Sequence, residues 1–549
     1  MAATTFSAVV WVLLPSEVAA LNDDFGYFRS VLLTIQHGRP WTDDWLEPWA
    51  AGLSVISAAT LKLTSSFRIA TLGLQAFAAG VTVWLLILLL YRRGLPFASA
   101  LAVAVLVASC PTLLAKWTEF TGFIVYLPCL LLAVLAADAR RWMWFLAPWA
   151  LAVATRQSAA MWLVMPAWEV VLAIWRRSRS CSDPTADRAA AGAFAACLAG
   201  TAFFGAMTLF MNETNSQGAL TMAFLSSFDV AAAGRTVLIG AVAFAAAAGL
   251  GGLALSLSIP GAFSFGSARR LRAVAAVAAL AGTFLVWVYK THPISIDGGP
   301  LPGAAWKAYA LVAVVLALTG WLTSGFQVRS RYAVYAAGSL ALLALRSNVW
   351  DYYLADIMLL GLLSALPAAH QARTASRATL NARFAGLILL GLAAGVGALE
   401  LKLMHNRWVR VDLASAYGRI AERAVRKGLL TPQQVAFAPF GHKGWMFHPH
   451  FVSHQGRGDP NIAGFNQYLQ NGAASIHEHA TSEDPIIYMS TGEILSSTVY
   501  SVGGRARQLT LVKHPQAGTP ATLPLSDYKR RPFPLNDDEW RKLAGLSSR

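Results

Sequence analysis

The stretch "TFSAVVWVLLPSEVAALNDDFGYFRS" (residues 5–30) changes character twice. From Thr5 to Ala20 the only charge is Glu17. Two adjacent carboxylates follow, Asp23 and Asp24, and then apolar residues return at Phe25, Phe28, Val31, Leu32 and Ile35. That spacing is helical, with one apolar stripe. The reading is a first membrane span leading into an amphipathic helix on the membrane surface, with acids at its start. No Lys or Arg precedes Arg29, so the basic region of a cleavable signal peptide is missing and the span reads as a retained anchor.

Composition carries this reading across the chain. Hydrophobic residues make up 56% of 549 and charged residues 13%, with a mean hydropathy of +0.49. Soluble domains carry roughly 25% charge, so the sequence implies an all-α polytopic membrane domain. The 19 Trp suit interfacial aromatic belts. The net charge of +16 comes from short arginine clusters between apolar runs rather than from a basic domain, which excludes nucleic acid as the partner. The four cysteines, 110, 129, 181 and 197, fall in spans or in an inner loop, and none lies in the C-terminal region.

A crossing helix needs about 20 apolar residues. Crossings are expected at 5–21, 67–91, 95–114, 120–137, 142–154, 158–175, 189–211, 235–257, 271–289, 304–322, 332–345, 352–369 and 384–404, about 13 TM helices in all. After each even-numbered span stand at least two arginines: Arg92–Arg93, Arg140–Arg141, Arg176–Arg177, Arg269–Arg270, Arg329 with Arg331, and Arg373 with Arg377. The positive-inside rule then puts these loops and the N-terminus in the cytoplasm. The stretch 49–63 is apolar too, but counting it as a crossing would reverse every cluster, so it reads as a helix lying on or dipping into the outer surface. The expected domains are a transmembrane domain, 1–404, with a first outer loop at 22–66, and an extracytoplasmic soluble α/β domain, 405–549. The latter should hold a helix near 411–427 and strands near 433–438, 485–490 and 506–513. In a bacterium the protein would lie in the inner membrane, its C-terminus on the periplasmic or exterior side.

Asn22, Asp23 and Asp24 have a plain structural use. One Asn or Asp caps the first turn, worth about 1 kcal/mol, and a second acid favours the helix dipole. A third remains. Asp43, Asp44 and Glu47 precede Pro48 and an apolar helix, where acids and proline both suit the first turn. Glu119 can likewise start a helix.

With its first span, the Asp-led helix ending in "QHGRP" and the second acidic cluster "TDDWLEPW", the chain resembles the GT-C superfamily of integral-membrane glycosyltransferases. Protein O-mannosyltransferases, the aminoarabinose transferase of lipid A and the glucosyltransferases of N-glycan assembly belong to it. Lys116 to Glu119 and "ATRQSAAMWLVMP" (154–166) add to the likeness, the latter similar to an Arg-Gln segment of the glucosyltransferase branch. The motifs fall within residues 1–170, and the topology suits the whole chain.

The resemblance implies transfer of a sugar from a polyprenyl-phosphate donor to a cell-envelope glycan, lipid or protein acceptor at the outer face. A carboxylate of the first outer loop would be the general base, because an acceptor hydroxyl must lose its proton as it attacks the anomeric carbon. Asp24, with Asp23 beside it, takes that role. Asp43, Asp44, Glu47 and Glu119 become candidates for acceptor or metal contact; a divalent metal is compatible with the chemistry and not required by it. A lipid-phosphate leaving group calls for cations. Lys290 and His292 in "KTHPISIDGGP", Arg346 in "LRSNVWDYY" and Arg156 are the candidates, each also able to snorkel to headgroups. His442, His448, His450 and His454 match no standard zinc spacing. Two other readings stand beside this one. A polymerase or ligase using lipid-pyrophosphate carriers would lean on outer-loop arginines, and a lipid or glycan transporter would show repeats and midplane charges.

Overall fold

The computed structural model describes residues 2–14, 24–42, 51–109, 113, 116–117, 120–179, 184–214, 230–258, 330–344, 354–366, 474–480, 493–502 and 505–513. The helices are α1 (Ala2–Leu13), α2 (Asp24–His37), α3 (Ala51–Thr64), α4 (Leu74–Arg92), α5 (Phe97–Ala108), α6 (Phe123–Asp138) and α7 (Trp142–Val153). They continue as α8 (Val164–Ser178), α9 (Pro184–Thr214), α10 (Val230–Ser258), α11 (Ser330–Ala344) and α12 (Ala355–Ser364). A π-helical turn, Ile69–Gly73, leads into α4, and a 3-10 helix, Gln157–Leu163, leads into α8. Helices thus stand where ten of the expected crossings were placed; 271–289, 304–322 and 384–404 lie outside the described residues.

Among the described residues, four continuous helical segments are long and apolar enough to cross a membrane: Ile69–Arg92, Gln157–Ser178, Pro184–Phe210 and Thr236–Leu255. α5 is shorter than expected. It ends at Ala108, where the Ser109 hydroxyl donates back to the Val105 carbonyl at 2.6 Å, and Pro111 follows two residues later. Helices are the economical choice here, because in hydrocarbon every backbone polar group must be satisfied within its own segment. The chain is a membrane protein.

The main core joins α1, α4, α5, α6, α7, α8, α11 and α12 through residues such as Val10, Leu86, Leu130, Trp149, Met165, Tyr332 and Leu360. α1 lies close to α4: Ser7 donates its hydroxyl to the Ala76 carbonyl at 2.8 Å. Small residues such as Ala76 and Ala79 permit that approach.

One end of the bundle is tied by an ionic cluster. Arg93, only 2% exposed, donates to Asp138 at the end of α6 and, at 3.2 Å, to the Leu363 carbonyl of α12. Tyr332 of α11 donates to the same carboxylate, and Arg331 stands 3.9 Å from it. Burial pulls the Arg93 pKa down from the usual arginine value, and the Asp138 carboxylate opposes the shift. Beside this, Glu169 of α8 takes Arg140 at 3.5 Å and Arg176 at 3.3 Å. Four of the arginine clusters read from the sequence therefore gather at a single end.

In the C-terminal region, β1 (Ala474–Ala480), β2 (Glu493–Val502) and β3 (Arg505–Lys513) form an antiparallel sheet in the order β1-β3-β2. β3 coincides with the strand expected at 506–513. The other two expected strands, 433–438 and 485–490, and the helix at 411–427 lie outside the described residues. β1 and β2 were not foreseen. Yet Val502 pairs with Arg505 across Gly503-Gly504, a two-residue hairpin sequence. A bulge between Ile494 and Ser496 leaves Leu495 out of register.

Candidate functional site

The opposite end of the bundle brings together the start of α6, the segment between α7 and α8 and the start of α12, where Arg156, Tyr126 and Asp356 meet, with α2 and α3 packed beside them. α2 begins at Asp24, the residue expected to start it, and runs to His37. Gly38 then takes φ +64, and its amide donates to the Ile35 carbonyl at 3.3 Å. A left-handed residue after the last turn is a common helix stop, and glycine adopts it without Cβ strain. The chain folds back so that the Thr34 hydroxyl donates to the Trp41 carbonyl at 3.1 Å. His37 stacks on the Trp41 ring at 4.1 Å.

α2 and α3 pack on the protein through one face. Val31, Leu53, Ala58 and Leu61 are buried with Phe67, Phe120 and Ile124, and Tyr27 and Ile35 pack against them. Tyr27 meets Phe120 edge-on at 6.4 Å. Within α2 the buried face takes Ser30 and Thr34 beside Val31.

A second contact fastens this layer to the loop between α7 and α8. The Gly52 amide donates to the Ala154 carbonyl at 2.6 Å. A Cβ at Gly52 would lie 2.8 Å from that oxygen, and one at Gly122, just before α6, would lie 2.6 Å from the Thr155 carbonyl. Two glycines thus let backbone from α3 and α6 close on residues 154–155. The next residue is Arg156, with extended backbone at φ −155, ψ 123. Its amide donates to the Ala152 carbonyl at 2.8 Å.

Arg156 is the sequence-predicted site residue whose side chain is described. Its guanidinium lies over the Tyr126 ring at 5.1 Å and the Phe123 ring at 5.7 Å, and the residue stays partly exposed. Tyr126 also packs on Trp162 at 4.8 Å. Its hydroxyl donates to Asp356 at 3.0 Å. Lys116 is also buried at this end, 3% exposed, and neighbouring Trp117 donates its indole N–H to the Ala108 carbonyl at 3.0 Å.

Asp356 was missed by the sequence reading, which took 352–369 as a span without remarking on its acid. An ionisable residue inside an apolar run was the available signal. Asp24 is placed as the first residue of α2. Asp23, Asp43, Asp44, Glu47, Glu119, Lys290, His292 and Arg346 lie outside the described residues, as does His442–His454.

No protein-family model matches the chain, and no curated protein matches it closely enough to count as a relative. Among solved structures it is similar to the crystal structure of ArnT from Cupriavidus metallidurans bound to undecaprenyl phosphate, at 14% identity and a TM-score of 0.41, covering 94% of this chain and 98% of that one. It is likewise similar to the apo crystal structure of the same protein, at 12% identity and a TM-score of 0.42, covering 92% and 97%.

Proposed function

We propose that the protein is a membrane glycosyltransferase of the GT-C type. It would move a sugar from a polyprenyl-phosphate donor to a glycan, lipid or protein acceptor at the outer face of the membrane. The observation that carries this reading is the packing of α2, which opens at Asp24, into the same end of the bundle as Arg156. The bridge runs through Phe120, α3 and the Gly52–Ala154 hydrogen bond. The proposed base and the proposed phosphate-binding cation then belong to adjoining elements.

In the reaction the Asp24 carboxylate, or that of Asp23, takes the acceptor hydroxyl's proton as its oxygen attacks the anomeric carbon from the face opposite the phosphate. The bond between that carbon and the phosphate oxygen breaks, and its electrons leave with the lipid phosphate. Configuration inverts. Arg156, with Lys290, His292 and Arg346 from other outer loops, offsets the charge that develops on the leaving phosphate. Arg156 suits that task, since a planar guanidinium presents several N–H donors to phosphate oxygens. Asp43, Asp44, Glu47 and Glu119 remain proposed acceptor or metal contacts.

The test is an assay in nanodiscs with a fluorescent polyprenyl-phosphate sugar, scoring transfer and scrambling in one sample. Transfer of single sugars to an added cell-envelope acceptor is the expected result. Transfer of whole glycans from pyrophosphate carriers would indicate a polymerase or ligase instead. Scrambling without transfer would indicate a transporter.

A further inference from the structure

Asp356 is 4% exposed at the start of an otherwise apolar helix. A carboxylate there is costly and calls for a reason beyond packing. Part of the reason is local. The Ile357 amide donates to its Oδ1 at 2.9 Å, and an acid in a first helical turn is favoured by the dipole. The second oxygen is used differently: Oδ2 accepts from the Tyr126 hydroxyl, on a helix 230 residues away in sequence.

Tyr126 is itself buried, and the Arg156 guanidinium covers one side of its ring. A buried acid, a buried phenol and a half-exposed cation thus form a line from α12 through α6 to the loop before α8. A phenol that donates to a carboxylate gains electron density, so its ring face attracts a cation more strongly. The hydrogen bond also fixes the ring, and with it the surface against which the guanidinium rests.

We infer that Asp356 is a positioning residue that acts through the Tyr126 hydroxyl to hold the Arg156 guanidinium where it takes the phosphate of a lipid-linked donor. This rests on the donor reading given above. Asp356 need not touch the donor. Its effect is transmitted through one hydroxyl and one ring, and the carboxylate charge also acts on the guanidinium through space.

The experiment measures retention of decaprenyl monophosphate by the full-length protein in nanodiscs, with melting temperature followed in parallel. D356N and Y126F should each weaken binding roughly tenfold, within the range of coupled neighbours. The double variant should bind no worse than either single variant. In an R156Q background neither substitution should change binding further. Losses that multiply in that background would overturn the assignment, since a purely structural role weakens the protein whatever stands at position 156. Binding sensitive to R156Q but indifferent to D356N and Y126F would overturn it alone. If D356N does not fold, Y126F with R156Q carries the same comparison. Failure of the wild type to retain the lipid would remove the donor reading, and this assignment with it.

Discussion

The amide of Gly52 donates to the carbonyl of Ala154 across 2.6 Å, joining the helix after the first acidic loop to the segment that presents Arg156. A side chain at position 52 has no room there, because its Cβ would sit 2.8 Å from the carbonyl oxygen. Gly52→Ala should therefore lower the melting temperature and sugar transfer together, although alanine favours helix by about 1 kcal/mol over glycine. Gly205→Ala is the control, since nothing lies within 4 Å of a Cβ built there. Equal thermal shifts for the two variants would show that the close approach is unimportant.

Arg93 and Asp138 should behave as a buried pair. Asp138→Ala leaves the Arg93 guanidinium without its carboxylate, and breaking such a pair costs about 3–5 kcal/mol. Asp187→Ala removes the partner of exposed Arg177, 3.2 Å away, and should cost about 0–1 kcal/mol. Thermal denaturation in detergent ranks the two. Similar stabilities would mean the cluster at Asp138 is not what ties the helices together.

Lys290 and His292 share one stretch and Arg346 belongs to another, both expected at the outer face. Lys290→Ala should raise the KM for the lipid donor more than it lowers the melting temperature, and His292→Ala and Arg346→Ala should follow. Unchanged donor kinetics in all three variants would remove these residues from the phosphate site.

For the acids at the start of α2, capping and catalysis forecast opposite results. Asn caps about as well as Asp but cannot accept a proton at neutral pH. If Asp24 is the base, Asp24→Asn should keep expression and melting while transfer falls by roughly 10²–10⁴. A large loss at Asp23→Asn with little at Asp24→Asn would move the base by one residue, a turn of about 100° around a helix. Full activity in the double variant would leave the acids to the helix alone.

Six arginine clusters at even-to-odd boundaries predict an outward C-terminus. A reporter that fluoresces only in the cytoplasm, fused after Arg549, should stay dark. A bright fusion would contradict the thirteen-span order.

What the residues announce by themselves is local. Apolar runs mark the helices from α1 to α12, because a buried backbone must bond within its own segment. Asp24 and Gly38 bracket α2, because helix starts favour acids and left-handed stops favour glycine. The arginine clusters give the order of sides. Which loops meet is another matter. Hydropathy reads α2 and α3 as helices at the outer surface but not what they pack on: Val31, Leu53 and Phe120 close them onto protein. β1 and β2 emerged only through their register with β3. Arg156 was visible as a cation, but its seat over Tyr126, and the bond from Tyr126 to Asp356, join residues up to 230 positions apart. Local pattern cannot choose such partners, because they depend on which backbones approach closely enough, at Gly52 and Gly122, to bring distant side chains into contact.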